Sequence, residues 1–199
     1  LENPGVDAFV ATECAYLRAQ GVAVIANLGG HCEDDYLEGA RRLNAADMDI
    51  LELNISCPNV KAGGMAFGLT PEAAGGITAA VKAVTRFPLL VKLSPNAQDI
   101  VAVAQAVEAA GACGVSLVNT FLGMAVDIQA KKPVFDNVYA GLSGPAIRPI
   151  ALRMVHQVAR AVRIPVVGMG GIATPEDALA FLMAGARAVQ VGIATFRDP

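Results

Sequence analysis

The sequence is poor in aromatic residues (5%), in charge (17% of positions) and in histidine, with His31 and His156 the only two. Its four cysteines, Cys14, Cys32, Cys57 and Cys113, are widely spaced and contain no C-x-x-C pair. That scarcity excludes a disulfide framework and a zinc ligand set, so no metal is expected and the setting is expected to be a reducing cytoplasm. A formal net charge of −3 with scattered Lys and Arg leaves no basic footprint for nucleic acid. Charges or glycines break every apolar run short of membrane-spanning length, so no membrane partner is expected. No Ser- or Pro-rich linker and no charge block divides the chain. The start, Leu1-Glu2-Asn3-Pro4-Gly5, lacks Met and the charged-then-apolar order of a signal peptide, so Leu1 reads as a truncation point.

What remains is 54% hydrophobic, with 20 glycines in 199 residues, enough for one domain over 1–199 with a sizeable core. Six short apolar runs, at 22–26, 50–55, 89–93, 114–118, 164–168 and 188–193, read as parallel strands buried on both faces. Helix signals lie between them. Thr70-Pro71-Glu72 and Thr174-Pro175-Glu176-Asp177 each give an N-cap, a proline at the first helical position and an acid in the first turn. Asn96 with Asp99 resembles another start, and Gly111 suits that helix's end. After Pro145, Ile147, Ile150, Ala151, Met154, Val155, Val158 and Val162 recur at helical spacing.

Such a βα repeat predicts an α/β fold with right-handed crossovers, either an open doubly wound sheet or a (β/α)₈ barrel. Polar or glycine residues follow every run: Asn27, the segment Asn54-Ile55-Ser56-Cys57, Lys92, Asn119-Thr120, Gly170-Gly171 and Gly192. An open sheet gathers ligand groups at one switch point, whereas a barrel gathers them from many strand ends. Six contributing strands favour the barrel. Barrels often hold a phosphate after strands seven and eight, and the last two runs end in Gly170-Gly171 and Gly192. The runs are therefore expected to be strands three to eight, an open six-strand sector lacking the first two strands.

Several of these residues can carry chemistry. Gly170-Gly171 precedes a capped helix, so bare backbone N–H groups there and at Gly192-Ile193 could cradle a phosphate, or could simply make tight turns. Cys14, Cys32 and Cys113 read as small buried apolar residues. Cys57 differs: it lies past a strand among polar residues, where a thiol can act as acid, base or nucleophile, and no histidine is placed to pair with it. Lys92, inside an apolar run, requires an anion or dipole unless it reaches solvent at the rim. Asn119 and Thr120 could orient a planar polar ring without adding charge. Residues 121–143 exceed the usual βα loop and suggest a lid, with Lys131-Lys132 at its solvated tip.

The segments Asn54-Ile55-Ser56-Cys57-Pro58-Asn59-Val60-Lys61 with Gly63-Gly64, Val91-Lys92-Leu93-Ser94-Pro95-Asn96, Asn119-Thr120, Gly141-Leu142-Ser143-Gly144-Pro145-Ala146-Ile147 and Gly168-Met169-Gly170-Gly171-Ile172 resemble those of class 1 dihydroorotate dehydrogenases. Details around the cysteine are closest to the type B, NAD-linked catalytic subunit. The likeness runs from Asn3-Pro4-Gly5 to Phe196-Arg197-Asp198-Pro199.

The resemblance implies an FMN-binding (β/α)₈ TIM barrel, here without its first two strands and last helix, that oxidises dihydroorotate to orotate in pyrimidine biosynthesis. It makes Cys57 the catalytic base, and Asn54, Asn119, Thr120 and Leu1 contacts to the substrate, with Leu1 ending a substrate loop. It makes Asn27, Asn54, Lys92, Val118, Gly144, Gly170, Gly171, Gly192 and Ile193 contacts to FMN, although Ile193 departs from the family's hydroxyl residue and leaves only a backbone contact. It also implies a homodimer and an iron–sulfur FAD electron-transfer subunit. The chain itself has no cysteine cluster for such a centre and no G-x-G-x-x-G dinucleotide fingerprint. Two other readings of the same residues are the flavin barrel of a dihydropyrimidine dehydrogenase and a flavin-free phosphate-binding barrel acting as an isomerase or synthase.

Overall fold

The computed structural model describes residues 4–56 and 64–197. After a helical lead-in, α1 (Val6–Ala8), a π-helical turn (Phe9–Glu13) and α2 (Cys14–Ala19), strands and helices alternate. The order is β1 (Ile25–Leu28), α3 (Glu33–Leu43), β2 (Ile50–Asn54), α4 (Gly64–Phe67), α5 (Pro71–Val84), β3 (Leu89–Lys92), α6 (Ile100–Ala109) and β4 (Gly114–Leu117). Four short strands follow: β5 (Phe121–Met124), β6 (Val126–Asp127), β7 (Lys132–Pro133) and β8 (Tyr139–Leu142). The chain then returns to the alternation with α7 (Arg148–Ala159), β9 (Val166–Met169), α8 (Pro175–Met183), β10 (Ala188–Gln190) and α9 (Ala194–Arg197).

Six strands form one all-parallel sheet in the order β1-β2-β3-β4-β9-β10. The six apolar runs thus become the six strands, with ends that coincide or differ by one to three residues. β1 begins at Ile25, not Val22, and both side chains are exposed because β1 is an outer strand, paired only with β2 among the described residues. β10 ends at Gln190, which leaves Val191, Gly192 and Ile193 as a loop before α9.

Strand alternation sorts the sheet residues onto two faces. Leu51, Leu53, Leu89, Val91, Val115 and Leu117 are completely buried and belong to the face shared with the helices. The helices meet them through one repeated pattern at i, i+3, i+4 and i+7. It is Ala74, Ile77, Thr78 and Val81 in α5, Ile100, Val103, Ala104 and Val107 in α6, and Ala151, Met154, Val155 and Val158 in α7. Ile150 falls one position off that seam and is exposed, contrary to the helical spacing first read for it. Each large apolar side chain so buried contributes about 1.5–3 kcal/mol.

Registers place Asn27, Glu52, Asn54, Lys92, Ser116, Met169 and Gln190 on the opposite face. β2 and β10 are four steps apart in the sheet, about 19 Å if it were flat. Yet Gln190 Nε2 donates to Glu52 Oε1 at 3.1 Å. The sheet therefore curls strongly, as a sector of a barrel does, and this second face is its concave interior.

The helix caps match the sequence signals. Thr70 Oγ1 accepts from Ala73 N, and Thr174 with Asp177 forms a reciprocal capping box. At α6 the cap is Asp99, whose Oδ1 accepts from Val101 N and Ala102 N. Asn96 lies in the preceding turn and instead bridges to Thr120 O and Leu122 N. Two cysteine expectations fail: Cys14 is buried, but Cys32 and Cys113 are exposed, because one caps α3 and the other occupies the turn before β4. Residues 121–143 form an antiparallel ladder, β5 with β8, capped by the smaller β6–β7 pair with Lys131 and Lys132 exposed near its tip. Among the described residues no helix is long and apolar enough to cross a membrane.

Candidate functional site

A cavity of about 670 Å³ opens where β3, β4, β9 and β10 end, within the 300–1,000 Å³ typical of small-molecule sites. β3 contributes Lys92, and the end of β4 contributes Val118, Asn119 and Thr120. The Leu117–Val118 peptide is cis. From the return of the β5–β8 ladder come Ser143, Gly144 and Pro145; from β9, the stretch Met169 to Ala173; from β10, Gln190 to Ala194.

Lys92 is half-buried and, among the described residues, is the one charged side chain lining this cavity. The cavity therefore favours a ligand with negative charge or strong acceptors. Bare backbone forms the wall at Gly144, Gly170, Gly171 and Gly192. Gly171 illustrates why: at φ +77° it adopts a left-handed conformation, and a Cβ there would lie 2.6 Å from Gly144 O. Just beyond, the N-terminus of α8 is closed by its own acceptors, with Asp177 Oδ2 accepting from Ala173 N and Thr174 N and Thr174 Oγ1 accepting from Asp177 N.

Asn27 and Asn54 do not line this cavity. They form an adjoining polar cluster within the barrel interior. Asn27 Nδ2 donates to Glu52 Oε2 at 2.5 Å, and Asn54 Nδ2 reaches Asn27 Oδ1 at 3.5 Å. Asn54 Oδ1 accepts from Ser56 N and Ser56 Oγ, and Asn119 Nδ2 donates to Ser56 Oγ at 2.7 Å. Buried Tyr36 supports the end of β2 by donating to Asn54 O at 2.7 Å. Asn119 Oδ1 then accepts from Thr120 N. The cluster and the cavity thus share Asn119 and Thr120.

Of the residues singled out in the sequence, Lys92, Val118, Asn119, Thr120, Gly144, Gly170, Gly171, Gly192 and Ile193 converge on the cavity. Leu1 and Cys57 lie outside the described residues. Ser56, the neighbour of Cys57, is fully buried. His31 and His156 are exposed and are not among the residues that line the cavity. Sequence reasoning gave no role to Glu52, Ser116 or Gln190, which meet inside the barrel. The signal was present, since Glu52 interrupts an apolar run as Lys92 does.

A family model described as dihydroorotate dehydrogenase matches residues 1–199. Among curated relatives, the "Dihydroorotate dehydrogenase B (NAD(+)), catalytic subunit" of Alkaliphilus oremlandii (strain OhILAs) is 55% identical over 199 residues. The proteins of the same name from Alkaliphilus metalliredigens (strain QYMF) and Trichlorobacter lovleyi (strain ATCC BAA-1151 / DSM 17278 / SZ) are each 54% identical, over 199 and 200 residues. Each match takes in 100% of this chain and 66% of the relative, so the chain spans just under two thirds of the length of these proteins. The curled parallel sheet, the cavity at its strand ends and these whole-chain matches agree, and the chain belongs to the dihydroorotate dehydrogenase family.

Proposed function

We propose that the protein of which this chain forms part oxidises dihydroorotate to orotate in pyrimidine biosynthesis, with FMN in the cavity at the ends of β3, β4, β9 and β10. The observation that carries this reading is the pairing of one cation, Lys92, with a wall of bare glycine backbone at Gly170, Gly171 and Gly192. That donor set suits a ligand with an electron-poor ring at one end and a phosphate at the other. In this reading the six strands are strands three to eight of a (β/α)₈ barrel. The first two strands and the last helix belong to the third of the relatives' length that the chain does not span.

When bound, FMN supplies a hydride acceptor, which no side chain can provide. The chain's own residues do the rest. Cys57, as its thiolate, takes the proton from the ring carbon beside a carbonyl, and general-base catalysis of this kind contributes roughly 10²–10⁴-fold. Asn54, Asn119 and Thr120 orient the substrate ring by neutral hydrogen bonds, and Leu1 borders it. Lys92 holds negative charge that develops near the β3 end, an electrostatic role that grows as water is excluded. Asn27, Val118 and Gly144 complete the cofactor's surroundings, and Ile193 offers its backbone N–H beside Gly192.

A second subunit carrying an iron–sulfur centre and FAD would link the reaction to NAD. The words "NAD(+)" and "catalytic subunit" in the names of the relatives support that reading. A homodimer follows from the same family resemblance. Cytoplasmic residence is the reading that the four widely spaced cysteines, with no C-x-x-C pair, favour. Stopped-flow reduction of flavin by dihydroorotate in the full-length Cys57→Ala variant tests the central step: flavin should remain bound and its reduction nearly cease. Bleaching at the wild-type rate would remove Cys57 from the base role.

A further inference from the structure

Glu52 is 4% exposed at the centre of the barrel interior, and three strands direct donors at its carboxylate. Ser116 Oγ on β4 and Gln190 Nε2 on β10 both donate to Oε1, at 2.6 and 3.1 Å, while Asn27 Nδ2 on β1 donates to Oε2 at 2.5 Å. A carboxylate in such a position only accepts. Asn27 must therefore present its nitrogen to Glu52 and its oxygen away, and that oxygen accepts from Asn54 Nδ2. Asn54 Oδ1 accepts from the Ser56 backbone N–H and hydroxyl, and Asn119 Oδ1 accepts from Thr120 N while its nitrogen donates to Ser56 Oγ. Backbone donors thus fix Asn54 and Asn119, whereas Asn27 takes its orientation from Glu52.

We infer that Glu52 is a positioning residue that sets the orientation of the Asn27 side-chain amide and, through it, the partner that Asn54 Nδ2 meets. The inference rests on the reading of Asn27 and Asn54 as cofactor contacts. A glutamine at position 52 preserves shape and volume. Its oxygen would keep the two donors from Ser116 and Gln190, and its nitrogen would then confront Asn27 Nδ2. Asn27 would have to turn over, and its nitrogen would then meet Asn54 Nδ2, which cannot turn in its place because the Ser56 N–H holds Asn54 Oδ1.

The test uses the full-length protein and its Glu52→Gln and Ser116→Ala variants. Three measurements are made: side-chain amide ¹⁵N–¹H spectra without ligand, FMN affinity by fluorescence quenching, and thermal midpoint. In Glu52→Gln the Asn27 and Asn54 amide signals should move and FMN affinity should fall about tenfold or more, as when hydrogen bonds to a polar ligand are misdirected. Ser116→Ala removes one donor at Oε1 and leaves Oε2 facing Asn27, so its amide signals should stay in place and its affinity within about twofold. Adding Asn27→Asp to Glu52→Gln moves the acceptor-only group one place along, and the Asn54 signals should return toward their wild-type positions. Unmoved Asn27 and Asn54 signals in Glu52→Gln would overturn the inference. So would a Ser116→Ala variant that loses as much affinity, or a double variant that restores nothing. A wild-type protein that binds no FMN, with the amide signals still moving in Glu52→Gln, would overturn the flavin reading and leave the role of Glu52 standing.

Discussion

Arg148, in the first turn of α7, is ion-paired with Asp177, the third residue of α8. The same carboxylate accepts from Ala173 N at 3.0 Å and from Thr174 N at 3.1 Å. One nearly buried side chain thus ties the segment that follows Gly171 to the helix that follows Gly144. The two glycine turns that frame the cavity are held in fixed relation by a contact that is itself outside the cavity.

Stability should accordingly fall in acid. The Ala173 N–H, the Arg148 guanidinium and the Thr174 N–H together hold the Asp177 carboxyl below the usual carboxylate range. The contribution is fully present above the unfolded value of about 3.9 and is lost as pH drops through the lower folded value. Asp49 behaves alike, held down by Val24 N–H and then by Arg18. Thermal melts from pH 7 to pH 3 should show a declining midpoint. Asp177→Asn should melt lower than wild type at pH 7 and decline less steeply, and parallel curves would contradict the assignment.

Gly171→Ala should damage the cavity more than the fold. Its φ of +77° costs a side chain about 1–2 kcal/mol, and the added Cβ would press on Gly144 O at 2.6 Å. Both turns must shift to relieve it. FMN affinity of the full-length variant, followed by fluorescence, is expected to fall by tenfold or more with secondary structure unchanged by circular dichroism.

The fold was legible where pattern and chemistry agree. The six apolar runs mark the six strands, and Thr70 and Thr174 mark helix starts, because an N-cap is a local matter of one side chain and the next turn. Ile150 misled because spacing alone cannot tell which side of a three-residue step faces the sheet. Cys113 misled because residue type says nothing of a turn's exposure. At the site, residues that follow strands were easily found, since a polar group at a strand end is out of place in an apolar run. Glu52 and Gln190 went unassigned because their partnership depends on sheet curvature, which appears only when β2 and β10 are brought face to face.

Lys92→Ala should separate two roles for this cation. As the one charged side chain on the described cavity wall, its loss should weaken FMN binding about tenfold or more and shift the flavin's reduction potential downward. Potentiometric titration and binding measured together check this. Unchanged values for both would make Lys92 a rim lysine whose charge is spent on solvent.

NAD should be a poor acceptor for the full-length catalytic chain alone and an efficient one when an iron–sulfur flavoprotein subunit is added. Steady-state NADH formation from dihydroorotate, with and without that subunit, measures the difference. Rapid NAD reduction by the isolated chain would be incompatible with an intermediary.

The bond between Glu52 and Gln190 joins positions 138 residues apart in the sequence. Contacts of such separation form late, after neighbouring βα units have already found one another through local packing. The cavity has the same property, since Lys92 on β3 and Gly192 after β10 must both be in place to enclose it. The cavity is therefore complete only when β10 has joined the sheet. Ligand capture becomes a report that folding is complete. It also withdraws the finished state from the unfolding equilibrium, by about 2.7 kcal/mol at a ligand concentration one hundred times Kd.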